Sequence, residues 1–332
     1  MPDIRLTQLS LWSQDQLGQT VSLSPVSGDA SFRRYFRAQT QDGRHFIAMD
    51  APPEKENSRP FVEICQHLLN NEIPVPSIHA VSLQQGFMLL EDFGDEQLLS
   101  HLHAESVELL YGEALRILST LQIHVPHTHL PSYDKALLSR EMGLFKEWYI
   151  GRHLQRQLSQ IENQTLQKTE QILIESALAQ PQVFVHRDYH SRNLMLIEQA
   201  DEVALGVIDF QDAVSGPITY DLASLLRDCY IAWPDEDVLK WVYTYYEKLK
   251  SANIIRCDAS TFIRWFDLMG IQRHMKAVGI FSRLNYRDNK PSYLDDIPRT
   301  LDYIINASQR YPELEAFSTL IQCLIENPEK ET

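Results

Sequence analysis

The feature that most constrains this chain is a dense polar run between two apolar runs, in the segment VFVHRDYHSRNLML at residues 183–196. The apolar runs are typical of buried strands, whereas HRDYHSRN carries histidines, arginines, an aspartate and an asparagine. Buried polar groups require hydrogen-bond partners, so a structural turn rarely needs this much polarity at the edge of a core. A plain polar turn between two strands is the alternative, but the segment favours a loop that carries chemistry.

Length and charge exclude several classes of protein. At 332 residues the chain exceeds the usual size of one domain, so two lobes are expected. The chain has 45 acidic and 30 basic residues and a net charge of −15, which disfavours binding to nucleic acid or anionic membranes. The sequence shows no signal peptide, no apolar span of membrane length and no paired cysteine spacing. We therefore expect a cytoplasmic protein, and its oligomeric state stays open.

The chain divides into two regions by its pattern of residues. Between residues 21 and 92, short β-branched or aromatic runs alternate with turns, and one helix is predicted near 58–71. After the connector LLEDFGD at residues 89–95 the pattern is mostly helical, except for strands near 182–210. The sequence thus predicts an α+β fold with a small mixed β-sheet lobe and a larger, mainly helical lobe.

Three residues have the spacing of a phosphoryl-transfer site. Asp188 is followed by Asn193 five positions later, and Asp209 ends a further apolar strand, ALGVIDF. In such a site the first carboxylate orients the acceptor hydroxyl and takes its proton, while the amide oxygen and the second carboxylate bind magnesium. Magnesium prefers hard oxygen ligands together with phosphate and water. We therefore predict Asp188 as the catalytic residue, Asn193 and Asp209 as Mg²⁺ ligands, and ATP as the phosphate donor.

The motifs around these residues resemble those of the protein-kinase superfamily. HRDYHSRN fits the catalytic-loop pattern H-x-D-x-x-x-x-N, and IDF fits the motif of the metal-binding aspartate. IDFQDA and GPITYDLASLL resemble the aminoglycoside-phosphotransferase branch, in which a downstream aspartate, here Asp221, ties the catalytic loop to a helix. The resemblance implies a bilobal protein-kinase-like fold, with a nucleotide-binding lobe at residues 1–93 and a catalytic and substrate-binding lobe at residues 94–332.

Other segments resemble a subfamily of amino-sugar kinases. They are SGDASFRRYFRA, MDAPPE, LLEDFGD and YDKALLSREMGLFKEWY. The resemblance implies a small-molecule substrate, N-acetylmuramate or N-acetylglucosamine, phosphorylated on its anomeric hydroxyl in cell-wall recycling. Two alternatives stay open: a phosphotransferase for aminoglycosides or other small molecules, and a nucleotide-binding regulatory pseudokinase.

The predicted nucleotide site departs from the protein-kinase pattern. The loop SGDAS has a single glycine, and Met49 stands where a phosphate-binding lysine is expected. Arg33 or Arg34 could supply the missing charge, because a guanidinium binds phosphate well, but strand alternation allows only one of them to face the nucleotide. Backbone groups of residues 91–93 are expected to contact adenine. The predicted nucleotide-binding residues are Ser27, Gly28, Asp29, Ser31, Arg33, Arg34, Met49, Glu91 and Phe93.

A predicted helix at residues 134–158 mixes carboxylates with aromatic side chains on one face. This mixture suits a sugar, whose hydroxyls accept and donate hydrogen bonds and whose ring packs on aromatic faces. The alternative is a helix that packs its apolar residues into the core. Arginines are candidates for an acidic substituent, although each is also compatible with an ordinary ion pair. The predicted substrate-binding residues are Asp134, Glu141, Trp148, His190, Arg227 and Arg273.

Overall fold

The structure is a computed structural model that describes residues 3–26, 32–199 and 202–326. Its contacts group the described residues into two compact units, each formed by two chain segments. The first unit draws on residues 1–114 and 192–212, and the second on residues 115–191 and 213–332. The predicted functional division after residue 93 stays a prediction. The predicted loop residues Ser27, Gly28, Asp29 and Ser31 lie outside the described residues.

Helices and strands follow one another along the chain in two groups. The first group is α1 (Ile4–Leu17), β1 (Val21–Pro25), β2 (Arg34–Thr40), β3 (His45–Asp50), α2 (Arg59–Leu69), β4 (Ile78–Ser82), β5 (Phe87–Glu91), α3 (Val107–His124), α4 (Lys135–Leu144) and α5 (Gln160–Leu178). The second group is β6 (Gln182–Val185), β7 (Leu194–Gln199), β8 (Glu202–Val207), β9 (Val214–Pro217), α6 (Tyr220–Leu226), α7 (Asp235–Ser251), α8 (Ala259–Asp288), α9 (Ile297–Ser308) and α10 (Glu315–Glu326).

The first unit contains a five-stranded sheet in the order β1-β2-β3-β5-β4, with every neighbouring pair antiparallel. Alternate residues of its strands are apolar, so one face of the sheet buries them against α1. The cluster between that face and α1 consists of Leu9, Phe36, Ala38, Phe46, Ala48, Phe87 and Leu89. Cross-strand neighbours share a face, so Tyr35, Met49 and Met88 lie on the opposite side.

The hairpin of β7 and β8 belongs to the first unit. The N–H of Val207 donates to the carbonyl of Pro74 (2.7 Å), and the N–H of Leu196 donates to the carbonyl of Glu96 (2.7 Å). The hairpin therefore lies beside two segments of the chain: the one that precedes β4 and the one that follows β5.

The second unit is built around α8, which packs against α4, α5, α6 and α9. This helix has buried residues on most of its circumference, and several of them are polar or charged. Gly279 allows a close approach, because a Cβ atom there would lie 2.5 Å from the backbone carbon of Leu144. Within the described residues, no helix combines the length and the apolar character that crossing a bilayer requires.

The predicted single helix at residues 134–158 is interrupted. After α4 the chain continues as a π-helix, Phe145–His153, in which Phe145, Tyr149 and His153 stack at four-residue spacing (5.2 and 5.7 Å between ring centroids). A π-helix has more residues per turn than an α-helix, so α-helical spacing does not predict which of its residues share a face with α4.

Candidate active site

The two predicted metal ligands meet at the open end of the β7–β8 hairpin. Leu194 pairs with Val207, and the next step of the ladder is the N–H of Ile208, which donates to the carbonyl of Asn193 (3.0 Å). Asp209 follows directly and has a left-handed backbone (φ 65°), which is uncommon outside glycine and asparagine. The amide of Gln211 donates to its Oδ1 at 2.7 Å.

The chemistry of this donor set fits magnesium. An amide oxygen and a carboxylate are hard ligands, and magnesium usually takes few protein ligands together with phosphate and water. Among the described residues, no group of three or more His, Cys, Asp or Glu side chains is placed to hold a metal ion, so the pair does not extend into a zinc-type site.

The two neighbouring arginines have different surroundings in the first unit. Arg34 pairs across the strands with Asp50 on the α1 face, where its Nε donates to Oδ2 at 3.0 Å; Arg5 of α1 donates to the other oxygen at 2.8 Å. Arg34 also forms an ion pair with Asp3. Its charge is therefore engaged in holding α1 on the sheet.

Arg33 lies near the predicted metal ligand instead. Its Nη2 is 3.4 Å from Glu56 Oε2, and its side chain is 10% exposed. Burial disfavours the charged guanidinium, yet the pKa of Arg33 is raised by the electrostatic influence of Tyr35 and of the carboxylates of Glu56, Asp212 and Asp209. Arg34 is therefore engaged on the α1 face, whereas the charge of Asp209 acts on Arg33.

The structure places the remaining predicted nucleotide residues on or next to the sheet. Met49 is fully buried in β3. The carboxylate of Glu91 accepts from the N–H and hydroxyl of Ser77 (3.1 and 2.9 Å), which fixes the end of β5. The ring of Phe93 lies against β8, where a Cβ atom on Gly206 would be 2.3 Å from it.

Arg37 holds the connector after β5 in place. Its Nε donates to Asp92 Oδ2 at 2.6 Å, and its Nη1 donates to Asp95 Oδ2 at 2.6 Å. Asp92 also accepts from the N–H of Gly94 (2.9 Å), whose φ of 81° suits glycine. The backbone of the predicted adenine-contacting segment is therefore fixed at both ends.

In the second unit, the loop that carries Asp188 is tied down by carboxylates on and just after α6. Asp221 accepts the N–H groups of His186 (2.6 Å) and Arg187 (3.0 Å), which confirms the predicted tie. Asp228 accepts both the N–H (2.9 Å) and the hydroxyl (2.5 Å) of Ser191. Fixed backbone amides on both sides of Asp188 leave its carboxylate in a defined position.

The loop also makes bonds within itself. The N–H of Asp188 donates to Nδ1 of His186 at 3.3 Å, and the N–H of His190 donates to the carbonyl of Asp188 at 3.1 Å. The His190 ring lies edge-on to Tyr230, with 5.4 Å between ring centroids. His186 therefore acts within the loop, whereas His190 faces an aromatic side chain beyond it.

Basic groups keep the carboxyl group of Asp188 ionised. Burial alone would raise its pKa, but Lys276, His190, Arg187 and Arg273 lower it to about 2. Two of these cations lie on α8, where Lys276 donates to the hydroxyl of Tyr220 at 3.1 Å. Asp188 can therefore accept a hydrogen bond from a hydroxyl at any neutral pH.

Glu141 balances part of this charge. Its carboxylate forms ion pairs with Arg187 and with Lys276 (3.5 Å), and it accepts from the hydroxyl of Tyr133. Burial would raise its pKa, but Lys276 and Arg187 hold it below the usual value. This predicted sugar-binding residue is thus paired with Arg187, the residue that precedes Asp188 in the chain.

The other predicted substrate residues occupy different surroundings. Asp134 is exposed and caps α4, accepting from the N–H of Leu137 at 2.9 Å, while Trp148 is half-buried in the π-helix. Arg227 is buried and donates to Asp267 at 2.5 Å, which favours a structural role. Arg273 is buried and donates to the sulfur of Cys229 at 3.5 Å.

Three residues at these sites were not predicted from the sequence. Asp228 lies beyond the end of α6, so helical spacing from Asp221 does not predict that it returns to the loop. Lys276 follows the polar run Gln272-Arg273-His274 in α8, so several charged or polar residues on one helix were the available signal. Glu56 lies in a loop without any distinguishing pattern.

The loop that carries Asp188, the aspartate after β8 and the antiparallel sheet are the features expected of a phosphotransferase that acts on a hydroxyl acceptor. The chain belongs to the phosphotransferase enzyme family, whose model matches residues 22–251.

Curated relatives match nearly the whole chain. An N-acetylmuramate/N-acetylglucosamine kinase from Pseudomonas putida is 44% identical over 331 residues, covering 96% of this chain and 96% of the relative. A protein of the same name from Neisseria meningitidis is 41% identical, covering 93% of this chain and 92% of the relative.

Solved structures share the fold at low sequence identity. Choline kinase LicA from Streptococcus pneumoniae has a TM-score of 0.65 and 12% identity, covering 91% of this chain and 99% of that chain. The ADP-bound aminoglycoside phosphotransferase APH(2'')-Ib has a TM-score of 0.60 and 14% identity, covering 91% of this chain and 98% of that chain. These likenesses confirm the predicted protein-kinase-like fold.

Proposed function

We propose that this chain transfers the γ-phosphate of ATP to the anomeric hydroxyl of N-acetylmuramate and N-acetylglucosamine. The names of relatives that are 41–44% identical over nearly the whole chain support the choice of sugar. The observation in the structure that supports it best is the set of basic groups around Asp188, in a chain whose net charge is −15. Such surroundings suit an acceptor that carries a carboxylate.

In this reaction Asp188 accepts a hydrogen bond from the sugar hydroxyl and takes its proton as the transfer proceeds. The hydroxyl oxygen forms a bond to the γ-phosphorus, the bond from that phosphorus to the bridging oxygen breaks, and ADP leaves. A carboxyl group whose pKa is lowered to about 2 is a weak base, so its main contribution is orientation. An anomeric hydroxyl is more acidic than an ordinary alcohol and so suits a weak base.

Asn193, Asp209 and Arg33 are proposed to hold the nucleotide phosphates. Asn193 follows Asp188 by five residues, so the chain itself limits the distance between their Cα atoms to roughly 18 Å. Magnesium, when bound by Asn193 and Asp209, would neutralise charge on the β- and γ-phosphates. Arg33 would add a fixed guanidinium in place of the lysine that is replaced by Met49.

An aminoglycoside acceptor fits the second unit less well. The carboxylates around Asp188 are already engaged: Glu141 by Arg187, and Asp221 and Asp228 by backbone N–H groups. A polycationic acceptor needs carboxylates that are available to bind it, and it would meet the same cations that lower the pKa of Asp188.

The test is ATP turnover with both sugars, their 1-O-methyl glycosides and kanamycin, with the phosphorylated position read by phosphorus NMR. We expect both free sugars to give 1-phosphates and the methyl glycosides to be inert. Turnover of the methyl glycosides would exclude the anomeric position. Preference for kanamycin would mean that the acceptor is an aminoglycoside and not an amino sugar of the cell wall. Absence of any ATP-dependent transfer would support the pseudokinase alternative.

A further inference from the structure

One face of α8 carries basic residues at helical spacing. Arg273, Lys276, Arg283 and Arg287 follow one another by three, seven and four positions, which keeps them on one side of the helix. Arg273 and Lys276 are 6% and 7% exposed and lie close to Asp188, whereas the side chain of Arg287 is 49% exposed. The basic face therefore leads from the catalytic loop toward solvent.

Most of these cations have partners. Arg273 donates to the sulfur of Cys229 (3.5 Å), and Lys276 donates to the hydroxyl of Tyr220 (3.1 Å). Lys276 also lies 3.5 Å from Glu141.

Arg283 differs from its neighbours on this face. It is half-buried, its Nε atom is buried, and that atom has no hydrogen-bond partner among the residues that the structure describes. Asp288, five positions further along the chain, forms an ion pair with Arg287 at 2.8 Å. Burial and Arg287 lower the pKa of Arg283, and Asp288 and Glu147 only partly oppose this. A partly desolvated cation with an unsatisfied donor is a favourable position for an anionic ligand.

We propose that Arg283 binds the carboxylate of an anionic acceptor and so distinguishes N-acetylmuramate from N-acetylglucosamine. This inference rests on the proposed function. Arg283 follows Lys276 by two helical turns, about 10 Å along α8, and a guanidinium on a long side chain spans part of that distance. The carboxylate of N-acetylmuramate is likewise displaced from the reacting hydroxyl, because it belongs to the ether substituent on C3, two carbons along the ring from the anomeric carbon. N-acetylglucosamine has a hydroxyl there and needs no cation.

The experiment combines a variant of the enzyme with a chemically modified substrate. Arg283→Gln removes the charge and keeps most of the side chain, and Arg287→Gln is the matched control on the same face. For N-acetylmuramate we expect the KM to rise at least about tenfold in Arg283→Gln and to change less than about twofold in Arg287→Gln. The KM for N-acetylglucosamine should change less than about twofold in both variants.

The substrate arm uses N-acetylmuramate whose carboxylate has been converted to a primary amide. With the unmodified enzyme, the amide should show the same rise in KM as Arg283→Gln shows with the acid, and the two changes together should add little. This arm remains informative even if Arg283→Gln fails to fold. Equal KM values of the unmodified enzyme for the acid and the amide would overturn the inference, as would equal losses for both sugars in the variant. If the unmodified enzyme phosphorylates neither sugar, the proposed function itself is wrong.

Discussion

The neighbouring residues Arg33 and Arg34 give the sharpest test of the nucleotide site, because their side chains have opposite surroundings. Arg33 lies beside Glu56 and close enough to Asp209 to be affected by its charge. Arg34 is bound to Asp50 on the α1 face. We expect Arg33→Ala to weaken ATP binding and Arg34→Ala to weaken the fold.

The magnitudes follow from these contacts. A charge-assisted hydrogen bond from Arg33 to phosphate is worth about 1.5–3 kcal/mol, so its loss should raise the KM for ATP roughly 10- to 100-fold. Arg34→Ala removes one of the two arginines that hold the fully buried Asp50, and Arg5 remains. Because the Arg34 side chain is 39% exposed, we expect a loss of only about 1–2 kcal/mol in the free energy of unfolding.

The assay measures the KM for ATP at saturating sugar, and urea unfolding with and without ATP and magnesium. Arg33→Ala loses the ion pair with Glu56, so it should unfold at a somewhat lower urea concentration without nucleotide, and it should gain less stability from ATP than the unmodified protein gains. Arg34→Ala should unfold earlier but keep its response to ATP.

A larger rise in the KM for ATP in Arg34→Ala than in Arg33→Ala would refute the assignment. Small and equal rises in both variants would mean that another group supplies the phosphate-binding charge.

Three further changes test the other parts of the site. Asp188→Asn should lower the rate by roughly two to four orders of magnitude, with little change in ATP affinity. Because the pKa of Asp188 is lowered to about 2, protonation of Asp188 should not lower the rate of the unmodified enzyme between about pH 5 and 8. Asp209→Ala should lower both the rate and ATP affinity, with partial recovery in a magnesium titration; affinity unchanged at limiting magnesium would contradict a ligand role. Gly279→Ala should lower the free energy of unfolding, because the added Cβ would lie 2.5 Å from the backbone carbon of Leu144 and such overpacking costs about 1–3 kcal/mol. This cost exceeds the gain in helix propensity, which is at most about 1 kcal/mol. A higher free energy of unfolding in urea would mean that the two helices can separate without loss.

The sequence predicts the order of elements well because most of them have a clear period. The strands near residues 34–50 and the helix α7 show the alternation and the helical spacing that their burial requires. The tie between Asp221 and the catalytic loop was also predictable, because the motif includes the aspartate at a fixed position. The roles of the other site residues stay predictions.

The features that the sequence does not reveal depend on tertiary contacts. Alternation predicts that Arg33 and Arg34 lie on opposite faces, but only the position of Asp50 opposite Arg34 decides which of them is engaged in the fold. Lys276 of α8 lies 3.5 Å from Glu141 of α4, although the two residues are far apart in the sequence. The π-helix after α4 has no signal in residue type, since its aromatic residues also fit an α-helix.

The distribution of charge along α8 connects catalysis with the choice of acceptor. Next to the catalytic loop, Lys276 is matched by Glu141, so the site can hold Asp188 ionised without a large excess of buried positive charge. Two turns further along the helix, the Nε of Arg283 has no hydrogen-bond partner among the described residues, and Asp288 and Glu147 only partly balance its charge. A carboxylate on the acceptor would therefore find its partner at Arg283, away from the reacting hydroxyl, and would leave the charges that orient Asp188 undisturbed. In the proposed function, this separation would let one site accept both a charged and a neutral sugar: the charged one would gain binding from Arg283, while both would present the same hydroxyl to Asp188.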